Sequence, residues 1–149
     1  MSTPSAPATT SRPPPATRSA WGWLPLLAGL SVVGPVRRLG EVDAGLKWPN
    51  DVLVGERKLA GLLAEVAGDA VVVGVGLNVS LREDELPVAS ATSLAVAGSE
   101  VTDRDPVLRA VLRELATRYG AWRDAGGRLV VAGADGVDTL AAGDVVHLR

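Results

Sequence analysis

The chain of 149 residues contains no cysteine, no phenylalanine and one histidine, His147. The lack of cysteine excludes disulfides, thiolate metal sites and a cysteine nucleophile, and a single histidine excludes a multi-histidine metal site. Any chemistry must therefore come from lysine, acidic, amide and hydroxyl side chains or from the backbone. Positive charge is not in excess either, since 15 Lys and Arg residues stand against 17 Asp and Glu residues. Without a dense basic segment, we expect no nucleic-acid partner.

The chain nevertheless has enough apolar sequence to form a core, with 47% hydrophobic and 21% charged residues. Residues 1–19 differ, because they are rich in Ser, Thr, Pro and Ala and predict a disordered leader. An apolar run follows at 21–36, but it is shorter than the roughly 20 residues that span a membrane. We therefore expect no membrane association and predict a buried helix over 25–39, kinked or ended at Gly34 and Pro35.

Between residues 42 and 80, short apolar runs alternate with polar turns, a pattern typical of β-strands. The runs cover 45–48, 52–54, 59–66 and 71–79. Their short connections predict antiparallel neighbours, because a parallel crossover needs a dozen or more residues. The last part of the chain, 125–149, predicts two or three further short strands, which form only a small β appendage.

Residues 103–124 show the clearest helical pattern in the chain. Asp105 is the predicted N-cap, Pro106 takes the first helical position, and Glu114 and Arg118 have the spacing of an ion pair. Apolar residues recur at helical spacing and predict one buried face: Val107, Leu108, Val111, Leu112, Leu115, Tyr119 and Trp122. We assign this helix a structural role.

The run 71–79 provides the first candidate for chemistry. One of its faces is an unbroken row of Val and Leu, which predicts a core surface. The other face carries Gly74, Gly76 and Asn78 and is therefore hollow. Glycines in a strand interior mark a place where a flat ligand or another backbone comes close. Both interpretations stay open on this pattern alone.

Lys58 provides the second candidate, at the start of the run 59–66. By strict alternation it shares a face with Ala60 and Leu62, so its ammonium group would lie above a shallow apolar floor. Such a lysine suits an anionic carboxylate or phosphate. The alternative is a solvated lysine in a hairpin turn.

The third candidate is the run LKWPND, which places Lys47, Asn50 and Asp51 within five positions. Asp51 and Asn78 carry oxygen ligands that could hold Mg²⁺ beside substrate phosphates. Lysines next to such a site are suited to phosphoryl or nucleotidyl transfer, because the transition state spreads negative charge. An ordinary Asx turn is the alternative for this run.

The segment KWPNDVLVGERKLAGLLAEV, followed by VVVGVGLNVS, resembles the catalytic core of the biotin protein ligase family. The resemblance implies an α+β fold related to class II synthetases, with a mostly antiparallel mixed sheet packed against helices. It further implies part of a catalytic domain over 20–124 and the remnant of a small C-terminal β domain over 125–149. For the chain as a whole it implies a cytoplasmic protein, and it leaves room for a homo-oligomer.

The family activates biotin with ATP and Mg²⁺ to biotinyl-AMP and transfers biotin to a lysine of a biotin carboxyl carrier domain. By resemblance, Lys58 is a catalytic residue that contacts biotin and the acyl phosphate, Gly61 lines the biotin pocket, and Lys47 is the second catalytic lysine. Asp51 and Asn78 are the implied metal ligands. The residues expected at ATP and the adenylate are Lys47, Asn50, Asp51, Gly74, Gly76 and Asn78.

Two alternatives stay open beside the biotin ligase interpretation. A lipoate or octanoate transferase would use a pocket lysine in the same way. The family also carries a Gly/Arg-rich loop ahead of this region, and the sequence shows no counterpart to it. An inactive ligase fragment or an interaction module is therefore the second alternative.

Overall fold

The computed structural model describes residues 18–133 and 136–140, with side chains described through residue 128. A short 3-10 helix, Arg18–Trp23, leads directly into the first α-helix. The elements then follow in the order α1 (Leu24–Gly40), β1 (Ala44–Lys47), β2 (Asp51–Val54), β3 (Arg57–Ala67), β4 (Ala70–Leu77), α2 (Arg104–Asp124), β5 (Leu129–Gly133) and β6 (Gly136–Leu140). A single 3-10 turn, Glu83–Glu85, lies in the long connection before α2.

The first four strands form one antiparallel sheet in the order β1-β2-β3-β4, and β5 and β6 form a separate hairpin. The four strands predicted between residues 42 and 80 are present, with bounds that differ by one or two residues. Of the two or three strands predicted for 125–149, β5 and β6 are present, and residues 141–149 lie outside the described residues. The α+β class with an antiparallel sheet and packed helices is confirmed. Of the predicted leader, residues 1–17 lie outside the described residues, and residues 18 and 19 belong to the 3-10 helix.

Helix α1 is the centre of the core and is buried nearly all round, with Val32 and Val36 fully inaccessible. Of the two outcomes predicted near Pro35, the helix end is wrong, because α1 continues for five more residues to Gly40. A proline inside a helix costs one backbone hydrogen bond, but packing of the apolar surface outweighs local propensity here. By length and composition Arg18–Gly40 could cross a membrane, and 67% of its apolar window is buried within the protein. Core helices and signal sequences meet the same criterion.

The sheet packs its core face directly onto α1. Leu46, Val52 and Leu62 are buried on this face, and Leu46 and Leu62 lie next to Gly29 of α1. Gly29 permits the close approach, because a Cβ atom built there would overlap the end of the Leu46 side chain. A larger residue would push the helix away from the sheet.

Helix α2 packs against α1 rather than squarely over the sheet. Its N-cap is Asp103, whose Oδ1 accepts a hydrogen bond from the Asp105 N–H at 3.0 Å. The predicted cap at Asp105 is therefore wrong by two residues, because the extended backbone of Asp103 places its carboxylate over the free N–H groups of the first turn. The predicted Glu114–Arg118 pair is confirmed, with Arg118 Nε 3.0 Å from Glu114 Oε1.

The prediction of one fully buried face on α2 is wrong in part. Val107, Val111 and Trp122 are buried, but three other members of the predicted face are about half exposed, namely Leu108, Leu112 and Tyr119. These side chains line an open apolar groove with the outer strand, β4. The apolar face of β4 is likewise only partly covered, so the predicted unbroken core surface is also wrong in part: Val75 is 41% exposed.

Helix α2 ends as predicted at two glycines. Gly126 and Gly127 have φ angles of 69° and 84°, a region that glycine adopts without steric cost. The Gly127 N–H donates to the Trp122 carbonyl at 2.8 Å and satisfies one of the free carbonyls at the helix end. The sequence DG at 135–136 predicts a turn between the last two strands; Asp135 lies outside the described residues, and Gly136 is the first residue of β6.

Candidate functional site

The strand register brings four of the predicted site residues into one line across the sheet. Lys47 is paired with Asp51, Asp51 with Gly61, and Gly61 with Gly76. Directly opposed residues of antiparallel strands project from the same face. These four residues, which we call the glycine row, therefore occupy the face of the sheet that points away from α1.

The two β4 glycines leave the backbone of this face uncovered. A Cβ atom built on Gly76 would have only the Gly61 carbonyl oxygen as a near neighbour, at 3.9 Å. At Gly74 the corresponding neighbour is the Leu63 carbonyl oxygen, also at 3.9 Å. No described side chain lies within 4 Å of either position. The surface is thus flat, open and able to accept a ring or an extended chain against the backbone.

The structure corrects the predicted orientation of Lys58. Alternation along β3 predicts that Lys58 shares a face with Ala60. The pairing of β2 with β3 shifts, however, so that Val52 is opposite Ala60 whereas the next residue, Leu53, is opposite Lys58. This bulge adds one residue to β3, and as a result Leu59 and Ala60 are both buried. The alternation is reversed on one side of the bulge, and Lys58 is turned to the other face.

The Lys58 side chain consequently lies over the glycine row. A Cβ atom built on Gly61 would be 2.9 Å from Lys58 Cε and 3.0 Å from Lys58 Nζ. The floor beneath the ammonium group is therefore glycine backbone and not the apolar row that strict alternation predicts. Lys58 Nζ forms an ion pair with Asp51 Oδ1 at 2.8 Å, with the two side chains 48% and 25% exposed. Such an accessible pair can open at small cost when a ligand arrives.

Lys47 and Lys58 are the two lysines of the whole sequence. Lys47 is exposed and stands opposite Asp51 on β1, while Lys58 reaches the same carboxylate from β3. The site therefore combines two ammonium groups, one carboxylate and an uncovered backbone surface. This arrangement can bind a ligand that carries an anionic group beside a flat or extended body.

The two predicted asparagines use their amide donors within the protein. Asn50 Nδ2 donates to the Leu62 carbonyl at 2.8 Å, and the Leu62 N–H donates back to the Asn50 carbonyl at 2.9 Å. These bonds fix the turn that carries Asp51. Asn78 Nδ2 donates to the Thr92 carbonyl at 3.0 Å. Ligand roles for Asn50 and Asn78 stay predictions, and they would have to use the side-chain oxygens.

Sequence analysis missed the segment 90–94, which lies in the connection between β4 and α2. Thr92 and Ser93 are buried, and this stretch pairs with the backbone of Lys58. An irregular segment has no periodic pattern that would reveal its burial. The available signal is the apolar run ATSLAVA inside an otherwise polar connection.

Asp51 and Asn78 are the predicted magnesium ligands. Across residues 18–133 and 136–140, no cluster of three or more acidic or histidine side chains could hold a metal ion. In nucleotide sites, however, Mg²⁺ commonly binds one or two carboxylates and takes its other ligands from phosphates and water. Asp51 can supply such a carboxylate at the open face. The donor set thus fits a metal ion that arrives with phosphate groups.

Comparison with known proteins places this site within a region that matches a known family. A sequence model of the Biotin/lipoate A/B protein ligase family matches residues 18–80, the part that contains the whole glycine row. A biotin--[acetyl-CoA-carboxylase] ligase of Mycobacterium tuberculosis is 40% identical over 171 residues, and the match covers 87% of this chain and 64% of that protein. The bifunctional ligase/repressor BirA of Escherichia coli is 36% identical over 99 residues, 62% of this chain and 30% of that protein. The chain thus spans less than two thirds of the length of these relatives.

Solved structures agree with the sequence comparison. The biotin protein ligase of Aquifex aeolicus in complex with biotin and ATP superposes with a TM-score of 0.63 at 26% identity, over 86% of this chain and 71% of that chain. The Leishmania major enzyme in complex with biotinyl-5-AMP has a TM-score of 0.58 at 20% identity, over 85% of this chain and 74% of that chain, and shows the common fold. On sequence and structure together, this chain is similar to biotin protein ligases over most of its length, and residues 18–80 match the model of the Biotin/lipoate A/B protein ligase family.

Proposed function

We propose that this chain activates biotin with ATP to form biotinyl-AMP and pyrophosphate, and then transfers biotin to a lysine of a biotin carboxyl carrier domain. The observation that carries the proposal is the position of Lys58 Nζ. It lies over Gly61 and 2.8 Å from Asp51 Oδ1, beside the uncovered backbone of Gly76. The named relatives, which are biotin ligases, support biotin over lipoate or octanoate as the substrate.

In the first step, a carboxylate oxygen of biotin attacks the α-phosphorus of ATP, and the bond to the pyrophosphate leaving group breaks. Negative charge grows on the phosphate oxygens during this step. The Lys58 ammonium, at the edge of the site, would stabilise that charge and would orient the biotin carboxylate. Lys47 would bind the nucleotide phosphates from the other side of Asp51. A magnesium ion bound with ATP would neutralise phosphate charge, and Asp51 would contribute a ligand to it.

In the second step, the amine of a carrier lysine attacks the acyl carbon, and AMP leaves. At Gly74 and Gly76 no described side chain lies close enough to obstruct the mixed anhydride, and at Gly61 the neighbouring side chain is that of Lys58. Lys58 would remain close to the bridging phosphate and stabilise the departing AMP anion. The open face gives the carrier lysine direct access to the acyl group.

In the structure the charges of Lys58 and Asp51 are paired with each other. The partial exposure of this pair means that water and ions already compete for both charges. An incoming carboxylate or phosphate can therefore replace Asp51 as the partner of Lys58. Asp51 would then be free to hold a metal ion that accompanies the nucleotide.

The direct test is biotin-dependent exchange of labelled pyrophosphate into ATP, with lipoate and octanoate as parallel substrates. We expect exchange with biotin, and we expect Lys58→Ala to reduce its rate by about 100-fold or more, the usual effect of removing one transition-state donor. Arg109→Ala removes the same charge from the exposed surface of α2 and should leave the rate unchanged.

Three results would contradict the proposal, each in a different way. Exchange with lipoate or octanoate but not with biotin would favour the transferase alternative. No exchange with any of the acids would favour an inactive fragment or an interaction module. Equal rates in the wild-type protein and the Lys58→Ala variant would show that the site is elsewhere.

A further inference from the structure

We propose that Asn78 is a positioning residue that holds the bulge of β3 in place and so keeps the Lys58 ammonium over Gly61. The catalytic consequence of this proposal rests on the proposed function, whereas the placement of Lys58 can be tested without it. The proposal gives Asn78 a task different from the nucleotide and metal contacts that the family resemblance implies.

The bulge is held by hydrogen bonds from outside its own strand pair. The Lys58 N–H donates to the Ser90 carbonyl at 2.7 Å, and the Lys58 carbonyl accepts from the Thr92 N–H at 2.8 Å. The next carbonyl, that of Leu59, accepts from the Asn78 N–H at 3.0 Å. A bulge interrupts the ladder with the neighbouring strand and leaves backbone groups in need of partners. Segment 90–94 and residue 78 supply those partners.

The Asn78 side chain joins these two supports. Its Nδ2 donates to the Thr92 carbonyl at 3.0 Å, while the Asn78 carbonyl accepts from the Leu94 N–H at 3.0 Å. Thr92 is only 3% exposed, so water has little access to its carbonyl oxygen. Asn78 therefore connects the end of β4 to the segment that holds both backbone groups of Lys58.

Loss of the Asn78 amide donor would act on Lys58 through this chain of bonds. A buried carbonyl without a partner is unfavourable, so Thr92 would move towards water. The Thr92 N–H would then lose its bond to the Lys58 carbonyl, and the bulge would lose one of its supports. Because a bulge decides to which face a side chain points, the Lys58 ammonium would no longer be held over Gly61.

The substitution Asn78→Asp separates positioning from direct ligand binding. Aspartate keeps the size of the side chain and an oxygen in the same place, but it removes the NH₂ donor and sets a negative charge against the Thr92 carbonyl. If Asn78 acts as a ligand of Mg²⁺ or of the nucleotide through its oxygen, aspartate should preserve that role. If Asn78 acts through its donor, Asn78→Asp should be as harmful as Asn78→Ala.

The placement of Lys58 can be followed by NMR, because the sequence has two lysines and so gives two side-chain signals. In the ligand-free wild-type protein we expect an NOE between the Lys58 ε-protons and the Gly61 α-protons. Asn78→Asp should weaken this NOE at least twofold and leave the Lys47 signals in place, which also shows that the sheet is folded. An unchanged NOE in the variant, or no NOE in the wild-type protein, would overturn the proposal. If the Asp variant does not fold, the same NOE is measured in the uncharged variant Asn78→Ser, with the same expected loss.

A double-mutant cycle tests the catalytic consequence with the biotin-dependent exchange assay. Asn78→Asp alone should lower the exchange rate at least tenfold at saturating Mg²⁺. In a chain that already carries Lys58→Ala, the same substitution should change the rate less than twofold, because its effect passes through Lys58. Multiplicative losses would show that Asn78 contacts the ligands independently and would overturn the proposal. Absence of exchange in the wild-type protein would refute the proposed function and leave the NMR result to decide the role of Asn78.

Discussion

The closest test of the site geometry is the substitution Gly61→Ala, which adds one methyl group beneath Lys58. The new Cβ atom would lie 2.9 Å from Lys58 Cε, whereas ordinary contacts begin at 3.4 Å, so the lysine must move by about 0.5 Å or rotate away. Movement is easy, because Cε is near the end of a flexible side chain. The ion pair with Asp51, now 2.8 Å long, would stretch or break.

We expect Gly61→Ala to have little effect on folding and a large effect on ligand binding. Replacing glycine stabilises a compatible backbone position by about 0.4–1 kcal/mol, and loss of an accessible ion pair costs about 0.2–1 kcal/mol, so the two nearly cancel. A displaced Lys58 loses a charge-assisted hydrogen bond to the ligand anion, worth about 1.5–3 kcal/mol, which weakens biotin binding about 10- to 150-fold. Isothermal titration with biotin and urea denaturation measure the two effects separately.

Gly45→Ala is the matched control for this experiment. Gly45 is also a β-strand glycine, but a Cβ atom built there meets no atom within 4 Å. We expect this variant to bind biotin as the wild-type protein does. If both variants bind biotin with equal affinity, the assignment of the ligand to the glycine row is wrong.

Three further predictions concern the elements that support the site. Ser93→Ala should lower the free energy of unfolding by about 1–3 kcal/mol in urea, because its buried hydroxyl group both donates and accepts a backbone hydrogen bond; an effect below 0.5 kcal/mol would contradict this. Gly29→Ala should lower the free energy of unfolding by about 1–3 kcal/mol, because the new methyl group would overlap a core leucine. Gly120→Ala, which has open space around it in α2, should raise the free energy of unfolding by up to about 1 kcal/mol. If thermal melts showed Gly120→Ala to be the less stable of the two variants, the packing of α1 onto the sheet would be refuted. Asp103→Ala should lower the free energy of unfolding by about 1 kcal/mol, because it removes the N-cap of α2, and the loss should be larger than for Asp105→Ala. Equal losses for the two variants would argue against Asp103 as the cap.

Much of the sheet could be predicted from the sequence, because its strands are short apolar runs joined by tight turns. These features also determine the antiparallel order, and with it the alignment of Lys47, Asp51, Gly61 and Gly76. The first and last residues of the helices are harder to predict from the sequence. A cap two residues earlier than Asp105 is equally compatible with the sequence, since aspartate occupies both positions.

The orientation of Lys58 could not be predicted by counting alternate residues. Alternation holds only along an uninterrupted ladder, and the bulge in β3 reverses it between Lys58 and Ala60. The backbone of Lys58 at this bulge is hydrogen-bonded to segment 90–94, about 30 residues further along the chain. Its buried polar residues have no periodicity, so no local pattern links them to Lys58.

The exposed face of α2 has a similar explanation. An amphipathic pattern shows that a helix has an apolar side, but it does not identify the neighbour that covers that side. Here Val107 and Val111 lie buried beside Val32 of α1, whereas the half-exposed Leu112 faces the groove beside β4. The sequence therefore predicts the helix correctly and its packing only in part.

The confinement of both lysines to one face of the sheet has a practical consequence for handling the protein. Reagents that acylate primary amines, such as active esters of dyes or of a resin, can react with the N-terminus or with Lys47 and Lys58. Random lysine coupling would thus modify the ligand surface and immobilise the molecule through it. The same property makes amine footprinting selective, since protection of either lysine by an added compound reports occupancy of that surface.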